Sequence, residues 1–322
     1  MLVGRRAVAA FATAALVSRP APAPAWCGAP YPPYAYSLPW FEFAAGEVSM
    51  RVVGDSRLES EKKLNPLLVL PSPGLTNEYL ETLEAVTISQ RRVAFATIPA
   101  AVPLTAASLA AAASKAASSL EAPRVHVLGH GLGAAAALAL ASAQPATVAS
   151  LILASPYSSL DDIEPSQREA VASGPSPLLA SSATSARACV DAELKALHTR
   201  SPAALAAVRD GQLPPLSQGA PAAGEPDLLR GVGGLPVLLT RGGAGDVSSE
   251  ATSRSVLARL GATASLATFD TSAALAHVDD RARYLARVLD FLDEADGQKT
   301  RRAVMLPGSM SPGGSIKSGE QP

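Results

Sequence analysis

The chain has 322 residues, with 27 basic and 28 acidic side chains; 48% of the residues are hydrophobic and only 4% are aromatic. A net charge of -1 excludes the concentrated positive charge on which nucleic-acid binding depends. The two cysteines are too few for a disulfide-stapled scaffold or a four-cysteine zinc site. No two histidines share an i, i+4 helix face with a carboxylate, as they do in a zinc enzyme. We therefore predict a globular protein with no metal and no other cofactor.

The first 25 residues have the layout of a cleavable targeting signal. Arg5 and Arg6 precede an uncharged apolar run from Ala7 to Val17, and a short Pro-rich stretch ends at Ala25. The run is too short to cross a bilayer, which takes about 20 apolar residues, so we expect no transmembrane segment in the mature chain. The paired arginines predict a twin-arginine-like signal for export or for an organelle such as the thylakoid lumen, and a mitochondrial presequence is the alternative.

Short apolar runs alternate with helical stretches over much of the remaining chain, which is typical of a parallel α/β sheet. The pattern predicts an opening hairpin and six further strands, at residues 41–46, 48–53, 67–70, 92–98, 125–128, 148–154, 235–240 and 264–269. It predicts helices at residues 77–85, 104–120, 134–142, 250–260 and 280–294.

Residues 155–234 interrupt this alternation with Pro, Ser and short helical stretches at 186–198 and 203–208. Strand signals resume after them, so we predict a helical cap inserted into a single α/β domain. The core of that domain would consist of residues 41–154 and 235–296. Residues 297–322 are rich in Gly, Pro, Ser and basic side chains, which predicts a flexible, slightly basic tail.

The chemistry-bearing segment is Gly129-His-Gly-Leu-Gly133, which follows a predicted strand and precedes an uncharged helix. A strand, a tight turn and a buried helix are the context of the Gly-x-Ser-x-Gly nucleophile elbow, in which a serine sits on a strained turn. Both outer glycines are present, but the central residue is Gly131. Glycine has no side chain that could act as a nucleophile.

This segment and its neighbours resemble the proline iminopeptidase group of α/β-hydrolases over residues 41–296. Val127 to Ser159 resembles the group's elbow, helix and next strand, and Leu68 to Leu80 resembles its oxyanion-loop region. Pro236 to Gly242 is similar to the strand that delivers the acid, and Phe269 to Leu285 to the loop and helix that deliver the base. The resemblance implies an α/β-hydrolase fold, a mostly parallel sheet with helices on both faces and an inserted helical cap.

The catalytic residues of that group do not carry over to this chain. The resemblance places the nucleophile at Gly131, the acid at Gly245 and the base at Ala274. Asp246 and His277 lie one and three residues beyond the acid and base positions, so they form an alternative, displaced pair.

The loop that would supply an oxyanion donor also departs from the group's His-Gly-Gly-Pro-Gly. It reads Leu70-Pro-Ser-Pro-Gly74, and Pro71 has no N–H to donate. The donor that remains is the backbone N–H of Leu132, with Ser72 in the facing loop. Ser72 and Ser155 are the alternative serines that could supply a nucleophile from outside the elbow.

The remaining candidates have structural explanations. His126 lies in a strand, so we expect it to be buried and hydrogen-bonded. His130 occupies the variable position of the elbow, where we expect a packing role before a chemical one. Cys189 falls in the predicted cap, where we expect it to pack. Cys27 is its candidate disulfide partner, and the alternative is a lipid-attached cysteine, against which the large Trp26 argues.

Two function classes follow from the lost triad. A nucleophile and its base act as a unit, and removing either costs about a millionfold in turnover. We therefore predict a catalytically inactive α/β-hydrolase, or pseudoenzyme, that serves a protein partner as a structural or accessory subunit, or that binds a small peptide or other ligand. The alternative is a divergent serine aminopeptidase that cleaves N-terminal proline from short peptides.

Overall fold

The computed structural model of the chain describes residues 40–73, 78–99, 101–166, 168, 213–218 and 227–298. The targeting signal, the two predicted cap helices, residues 299–322 of the basic tail and both cysteines lie outside the described residues. In the described part of the chain, no helix combines the length and apolar character that crossing a membrane would take.

An eight-stranded sheet forms the centre of the fold, with the strand order β1-β2-β4-β3-β5-β6-β7-β8. The strands are β1 (Trp40–Ala45), β2 (Val48–Val53), β3 (Leu67–Leu70), β4 (Val93–Thr97), β5 (Val125–His130), β6 (Val148–Ala154), β7 (Val237–Gly242) and β8 (Ala264–Phe269). β2 is antiparallel to both β1 and β4, and all other neighbouring strands are parallel. The eight predicted strands are confirmed. The central strands β3, β5 and β6 are buried along their whole length, as strands covered on both faces are.

The helices pack on the sheet through apolar faces. They are α1 (Ser56–Glu61), α2 (Ala106–Ser118), α3 (Leu132–Ala143), α4 (Glu250–Leu260), α5 (Ala276–Asp279) and α6 (Arg281–Ala295). Short 3-10 turns occupy Pro145–Thr147, Leu160–Asp162 and Gly261–Thr263. α3 has no charged side chain and is almost completely buried, as its composition predicts.

The predicted helix at residues 77–85 is wrong in type and length, because Glu78–Ser89 forms a 3-10 helix of 12 residues. The hydroxyls of Thr87 and Ser89 donate to carbonyl oxygens three residues back, at 2.6 Å and 2.7 Å. Arg51 also binds two carboxylates three residues apart, those of Glu81 and Glu84. Both sets of contacts match the three-residue turn of a 3-10 helix.

A buried ionic network joins the end of α6 to the amino-terminal side of the sheet. The Arg91 guanidinium is fully buried and pairs with Asp293 at 2.9 Å and with Asp296 at 2.8 Å. His126, buried and hydrogen-bonded as predicted, lies 2.8 Å from Ser150 Oγ and 3.1 Å from Asp296 Oδ1. Burial lowers the pKa of His126 below its ordinary value. This network therefore stabilises the fold at the side opposite to the elbow.

Candidate functional site

The loops that follow β3, β5, β6, β7 and β8 meet at the carboxyl edge of the sheet, where open α/β sheets usually bind their ligands. The ends of these strands and the segments that follow them contribute polar side chains that are at most 3% exposed. We call this group the polar cluster, and it consists of Ser72, His130, Ser155, Tyr157, Asp246 and His277.

Two glycines of the elbow are required by close backbone approach. A Cβ atom on Gly129 would lie 2.3 Å from the carbonyl oxygen of Gly133, and one on Gly133 would lie 2.0 Å from the carbonyl oxygen of Leu70. Between them, Gly131 has φ 59° and ψ -124°, a strained conformation for any residue with a side chain. The turn therefore has the backbone of a nucleophile elbow, as the sequence pattern predicts.

The space beside Gly131 is already occupied by neighbouring side chains. A Cβ atom at this position would lie 2.8 Å from Ser72 Oγ and 3.2 Å from Tyr157 Cε1. Contacts under 3.0 Å require one partner to move, so this elbow does not accept a side chain without rearrangement.

Ser72 also occupies the one backbone donor that the sequence predicts for the oxyanion site. Its hydroxyl oxygen accepts a hydrogen bond from the N–H of Leu132 at 3.1 Å and donates to the carbonyl oxygen of His130 at 3.3 Å. Tyr157 is hydrogen-bonded to the same hydroxyl, and burial raises the pKa of this tyrosine. The elbow is therefore closed by a side chain of the protein itself.

His130 and His277 face each other inside the polar cluster. Their ring centroids are 5.5 Å apart in an edge-to-face arrangement, and Nε2 of His130 donates to the carbonyl oxygen of Ala274 at 3.0 Å. Burial and the nearby His277 lower the pKa of His130 to about 3. His130 is therefore neutral at physiological pH, and Ala274 contributes its backbone oxygen to the cluster.

The acid loop directs Asp246 into the cluster. Its Oδ2 accepts from the backbone N–H of Gly242 at 2.7 Å and from Ser155 Oγ at 3.0 Å, and its Oδ1 accepts from the N–H of Ser248 at 3.1 Å. Burial raises the pKa of Asp246 to about 6, although these hydrogen bonds oppose the shift. Gly245, the position that the resemblance assigns to the acid, has φ +92°, and a Cβ atom there would have no neighbour within 4 Å.

Ser155 connects the acid loop with the base loop. It has a left-handed backbone with φ 47°, and its hydroxyl lies 3.2 Å from the carbonyl oxygen of Ala274 as well as 3.0 Å from Asp246 Oδ2. The contact between Ser155 and Asp246 joins residues 91 positions apart, so no local sequence signal announces it.

Asp162 is a fully buried carboxylate that sequence reasoning missed. Its Oδ2 accepts from the N–H and the hydroxyl of Ser158, both at 2.8 Å, and its Oδ1 accepts from the N–H of Ser217 at 2.6 Å. Asp162 thereby ties the chain just after β6 to a segment near the end of the predicted cap. Ser159 and Asp162 form a capping box. Its Ser-x-x-Asp spacing is the sequence signal that could have identified Asp162 as a structural carboxylate.

The polar cluster holds no metal-binding arrangement. Among the residues with described positions, no three or more His, Cys, Asp or Glu side chains gather closely enough to hold an ion.

No family profile and no curated protein matches the chain, but its fold is similar to that of solved hydrolases. A carboxylesterase from Bacillus subtilis is 17% identical, with 79% of this chain and 91% of that chain covered and a TM-score of 0.53. A meta-cleavage product hydrolase from Pseudomonas fluorescens is also 17% identical, with 79% and 97% covered and a TM-score of 0.56.

A proline iminopeptidase from Mycobacterium smegmatis is 17% identical as well, with 80% and 99% covered. Its TM-score is 0.49. The strand order and the likeness to the carboxylesterase and the meta-cleavage product hydrolase show that the chain has the α/β-hydrolase fold.

Proposed function

We propose that this chain is an α/β-hydrolase-fold protein without serine-hydrolase activity, which acts as an accessory subunit for a protein partner or as a binder of a peptide or other small ligand. The observation that carries the proposal is the closed elbow. Gly131 offers no nucleophile, and Ser72 lies 2.8 Å from the place where a Cβ atom would start.

The same serine removes the electrostatic part of the hydrolase mechanism. An acyl-transfer site stabilises its tetrahedral intermediate with preorganised N–H donors, each of which is worth about a hundred- to thousandfold in turnover. Here the Leu132 N–H donates to Ser72 Oγ, and Pro71 has no N–H. Hydrolysis at this elbow would need both a new nucleophile and displacement of the Ser72 hydroxyl.

The alternative function is that of a divergent serine hydrolase, such as the aminopeptidase for N-terminal proline that the family resemblance implies. The observation that favours it is the left-handed backbone of Ser155 together with its hydrogen bond to Asp246. Strained residues gather at active sites. The geometry of a serine triad, however, directs the hydroxyl proton to a histidine nitrogen, whereas Ser155 donates toward oxygen acceptors.

Labelling of the full chain with a fluorophosphonate probe tests the proposal, because the probe phosphonylates only activated serines. We expect no modification above that of the heat-unfolded protein. Peptide mapping would locate any label, with Ser72→Ala and Ser155→Ala as matched variants. A label that one of these variants abolishes would establish the divergent hydrolase and end the pseudoenzyme proposal.

The location of the protein is part of the same proposal. We propose that the first 25 residues direct it out of the cytoplasm or into an organelle, with the thylakoid lumen and the mitochondrion as the alternative organelles. The support is the order of arginine pair, apolar run and small residues in the sequence. Sequencing the mature amino terminus from a fractionated cell extract tests it, and an uncleaved cytosolic protein would contradict it.

A further inference from the structure

Ser155 lies between the loops that follow β7 and β8, and its hydroxyl contacts both of them. Its Oγ atom is 3.0 Å from Asp246 Oδ2 in the acid loop, residues 243–249, and 3.2 Å from the carbonyl oxygen of Ala274 in the base loop, residues 270–275. All three residues are at most 2% exposed. The two loops therefore meet through a serine hydroxyl that is shielded from water.

A serine hydroxyl has one hydrogen, so the charge state of Asp246 decides which bonds Ser155 can make. If Asp246 is ionised, both oxygens beside Ser155 are acceptors, and one hydrogen can serve only one of them. The carboxylate is the stronger acceptor, because hydrogen bonds to charged groups are about twice as strong as neutral ones. If Asp246 carries a proton, its O–H donates to Ser155, and Ser155 donates to the carbonyl oxygen of Ala274. The proton therefore completes a chain of two hydrogen bonds between the loops.

The surroundings of Asp246 are compatible with a proton on Oδ2. This oxygen accepts from the N–H of Gly242 at 2.7 Å, and a protonated carboxyl group keeps acceptor capacity for such a bond. Oδ1 accepts from the N–H of Ser248 at 3.1 Å and needs no change. Burial raises the pKa of Asp246 to about 6, and it outweighs the hydrogen bonds and the charge of Arg241, which act in the opposite direction.

The polar cluster and α5 supply the other titratable side chains near this contact, namely His130, Tyr157, His277 and Asp279. His130 stays neutral, since burial and the nearby His277 lower its pKa to about 3. Burial raises the pKa of Tyr157, whose hydroxyl is bonded to Ser72 on the elbow side. Asp279 accepts from the N–H of Ala273 at 3.2 Å, a contact that does not involve Asp246.

The base loop depends on Ser155 in its second half. Two N–H groups of the acid loop donate to the carbonyl oxygens of Phe269 and Ser272, at and just after the end of β8, over 2.8 Å and 2.9 Å. The carbonyl oxygen of Ala274, in contrast, is held by the side chains of Ser155 and His130, at 3.2 Å and 3.0 Å. A change in the bonding of Ser155 therefore acts on the part of the loop that leads into α5.

We propose that Asp246, Ser155 and Ala274 form a pH-sensitive latch, which joins the base loop to the acid loop when Asp246 carries a proton and releases it when Asp246 is ionised. On release, the O–H bond of Asp246 breaks, the proton passes to water, and the Ser155 hydrogen turns to the carboxylate. The carbonyl oxygen of Ala274 keeps the bond from His130 and loses the one from Ser155. Since α5 carries His277, the latch sets how firmly one wall of the polar cluster is held. The latch works in the same way whether or not the elbow is catalytic.

Hydrogen exchange of the full chain at about pH 5 and about pH 7.5 tests the latch, with the rates corrected for the intrinsic pH dependence of exchange. These two pH values lie on either side of the pKa of Asp246, which is about 6. Loop amides exchange through local opening, which costs less than global unfolding. We expect the protection of residues 273–279 to be about fivefold lower at the higher pH, the effect of losing one hydrogen bond.

Two substitutions remove the hydroxyl of the latch. Ser155→Ala keeps the Cβ atom, and Ser155→Gly also relieves the left-handed backbone at φ 47°, so the glycine variant should fold. In both variants, residues 273–279 should show the low protection at both pH values. Asp246→Asn should also abolish the pH response, since it removes the titrating carboxyl. Ser150→Ala is the matched control, because it removes a buried hydroxyl of β6 that contacts His126, and it should keep the full response.

Equal protection at both pH values in the original protein would overturn the latch. A pH response that survives in the two Ser155 variants would overturn it as well, because another group would then be responsible. Loss of the response in Ser150→Ala would show that it does not belong to Ser155. These outcomes are independent of the fluorophosphonate result, so the latch and the proposed function are tested separately.

Discussion

The hydroxyl oxygen of Ser72 lies 3.1 Å from the backbone nitrogen of Leu132, and this contact fills the elbow from within. The two residues are 60 positions apart, and β3 and β5 bring them together by pairing side by side. The N–H that a hydrolase offers to its substrate is therefore part of the internal hydrogen bonding of this fold.

Ser72→Ala should destabilise the protein by about 1–3 kcal/mol, because the buried N–H of Leu132 loses its acceptor. Urea unfolding measures the loss, and the amide of Leu132 should exchange faster in the variant. Ser118→Ala, an exposed change on α2, should stay within about 0.5 kcal/mol of the original protein. Equal midpoints for Ser72→Ala and the original protein would show that the contact contributes nothing.

Gly131→Ser should destabilise the protein by about 2–4 kcal/mol, the sum of backbone strain at φ 59° and crowding against Ser72 and Tyr157. Adding Ser72→Gly should recover part of the stability that is lost to crowding, and none of the stability that is lost to backbone strain. A double-mutant cycle by urea unfolding should therefore give a coupling of at least about 1 kcal/mol between positions 72 and 131. Additive effects would mean that the two side chains do not compete for the same space.

Gly133→Ala should lower the free energy of unfolding by more than about 4 kcal/mol or prevent folding. The Cβ atom of the new alanine would lie 2.0 Å from the carbonyl oxygen of Leu70. Gly233→Ala is the matched control, since a Cβ atom at that position has no neighbour within 4 Å and should change stability by less than about 1 kcal/mol. Thermal unfolding of the two variants compares them directly. Similar melting temperatures would show that the elbow backbone moves aside without cost.

Sequence reasoning was most successful where one local property decides the structure. The strands at Leu67–Leu70 and Val148–Ala154 are uninterrupted apolar runs, and their observed bounds equal the predicted ones. The helix α4 also has its predicted bounds, with the Ser249 hydroxyl accepting a hydrogen bond from Thr252 N at its start. Glu78–Ser89 was misjudged, and two of the contacts that match its 3-10 form involve Arg51, which comes from a separate strand.

The candidate site was only partly accessible to sequence reasoning. The absence of a side chain at Gly131 is visible in the sequence, whereas the occupation of the adjacent space by Ser72 is a contact across two strands. The same limit applies to the acid loop. Counting residues from Gly242 favours Gly245, but the turn that follows β7 directs Asp246 inward, toward the hydroxyl of Ser155.

Acid should destabilise the protein through Asp296. Burial alone would raise the pKa of this carboxyl, but hydrogen bonds from His126, Arg91 and Asn65 lower it to about 2. A carboxyl with a depressed pKa in the folded state stabilises the fold above its unfolded value of 3.8, and this stabilisation is lost as the pH falls toward 2. Because Asp296 is partly exposed and solvent screens its interactions, we expect a contribution below about 2 kcal/mol.

Urea unfolding of the original protein and of Asp296→Asn measures this contribution. The measurements run from about pH 5 to about pH 2, because the ordinary and the lowered pKa of the carboxyl are about 4 and about 2. The variant should be less stable at pH 5, and the difference should shrink as the pH falls. Asp270→Asn, an exposed change, should follow the original protein throughout. A constant difference between Asp296→Asn and the original protein would contradict the ionic role of Asp296.

Asp246 should have the opposite pH dependence, because burial raises its pKa from 3.8 to about 6. Between these two values the folded protein holds a proton that the unfolded chain has released. Stability from this group is therefore greatest at low pH and decreases by up to about 3 kcal/mol as the pH rises through this range.

Asp246→Asn removes the titrating group and tests this expectation. The difference in unfolding free energy between the variant and the original protein should change between about pH 4 and about pH 6, and it should be constant below and above this interval. Asp270→Asn is again the control. If the difference in unfolding free energy between Asp246→Asn and the original protein stayed constant across the whole range, Asp246 would already be ionised at pH 4. The hydrogen bonds from Gly242, Ser248 and Ser155 would then stabilise its charged form more than burial disfavours it.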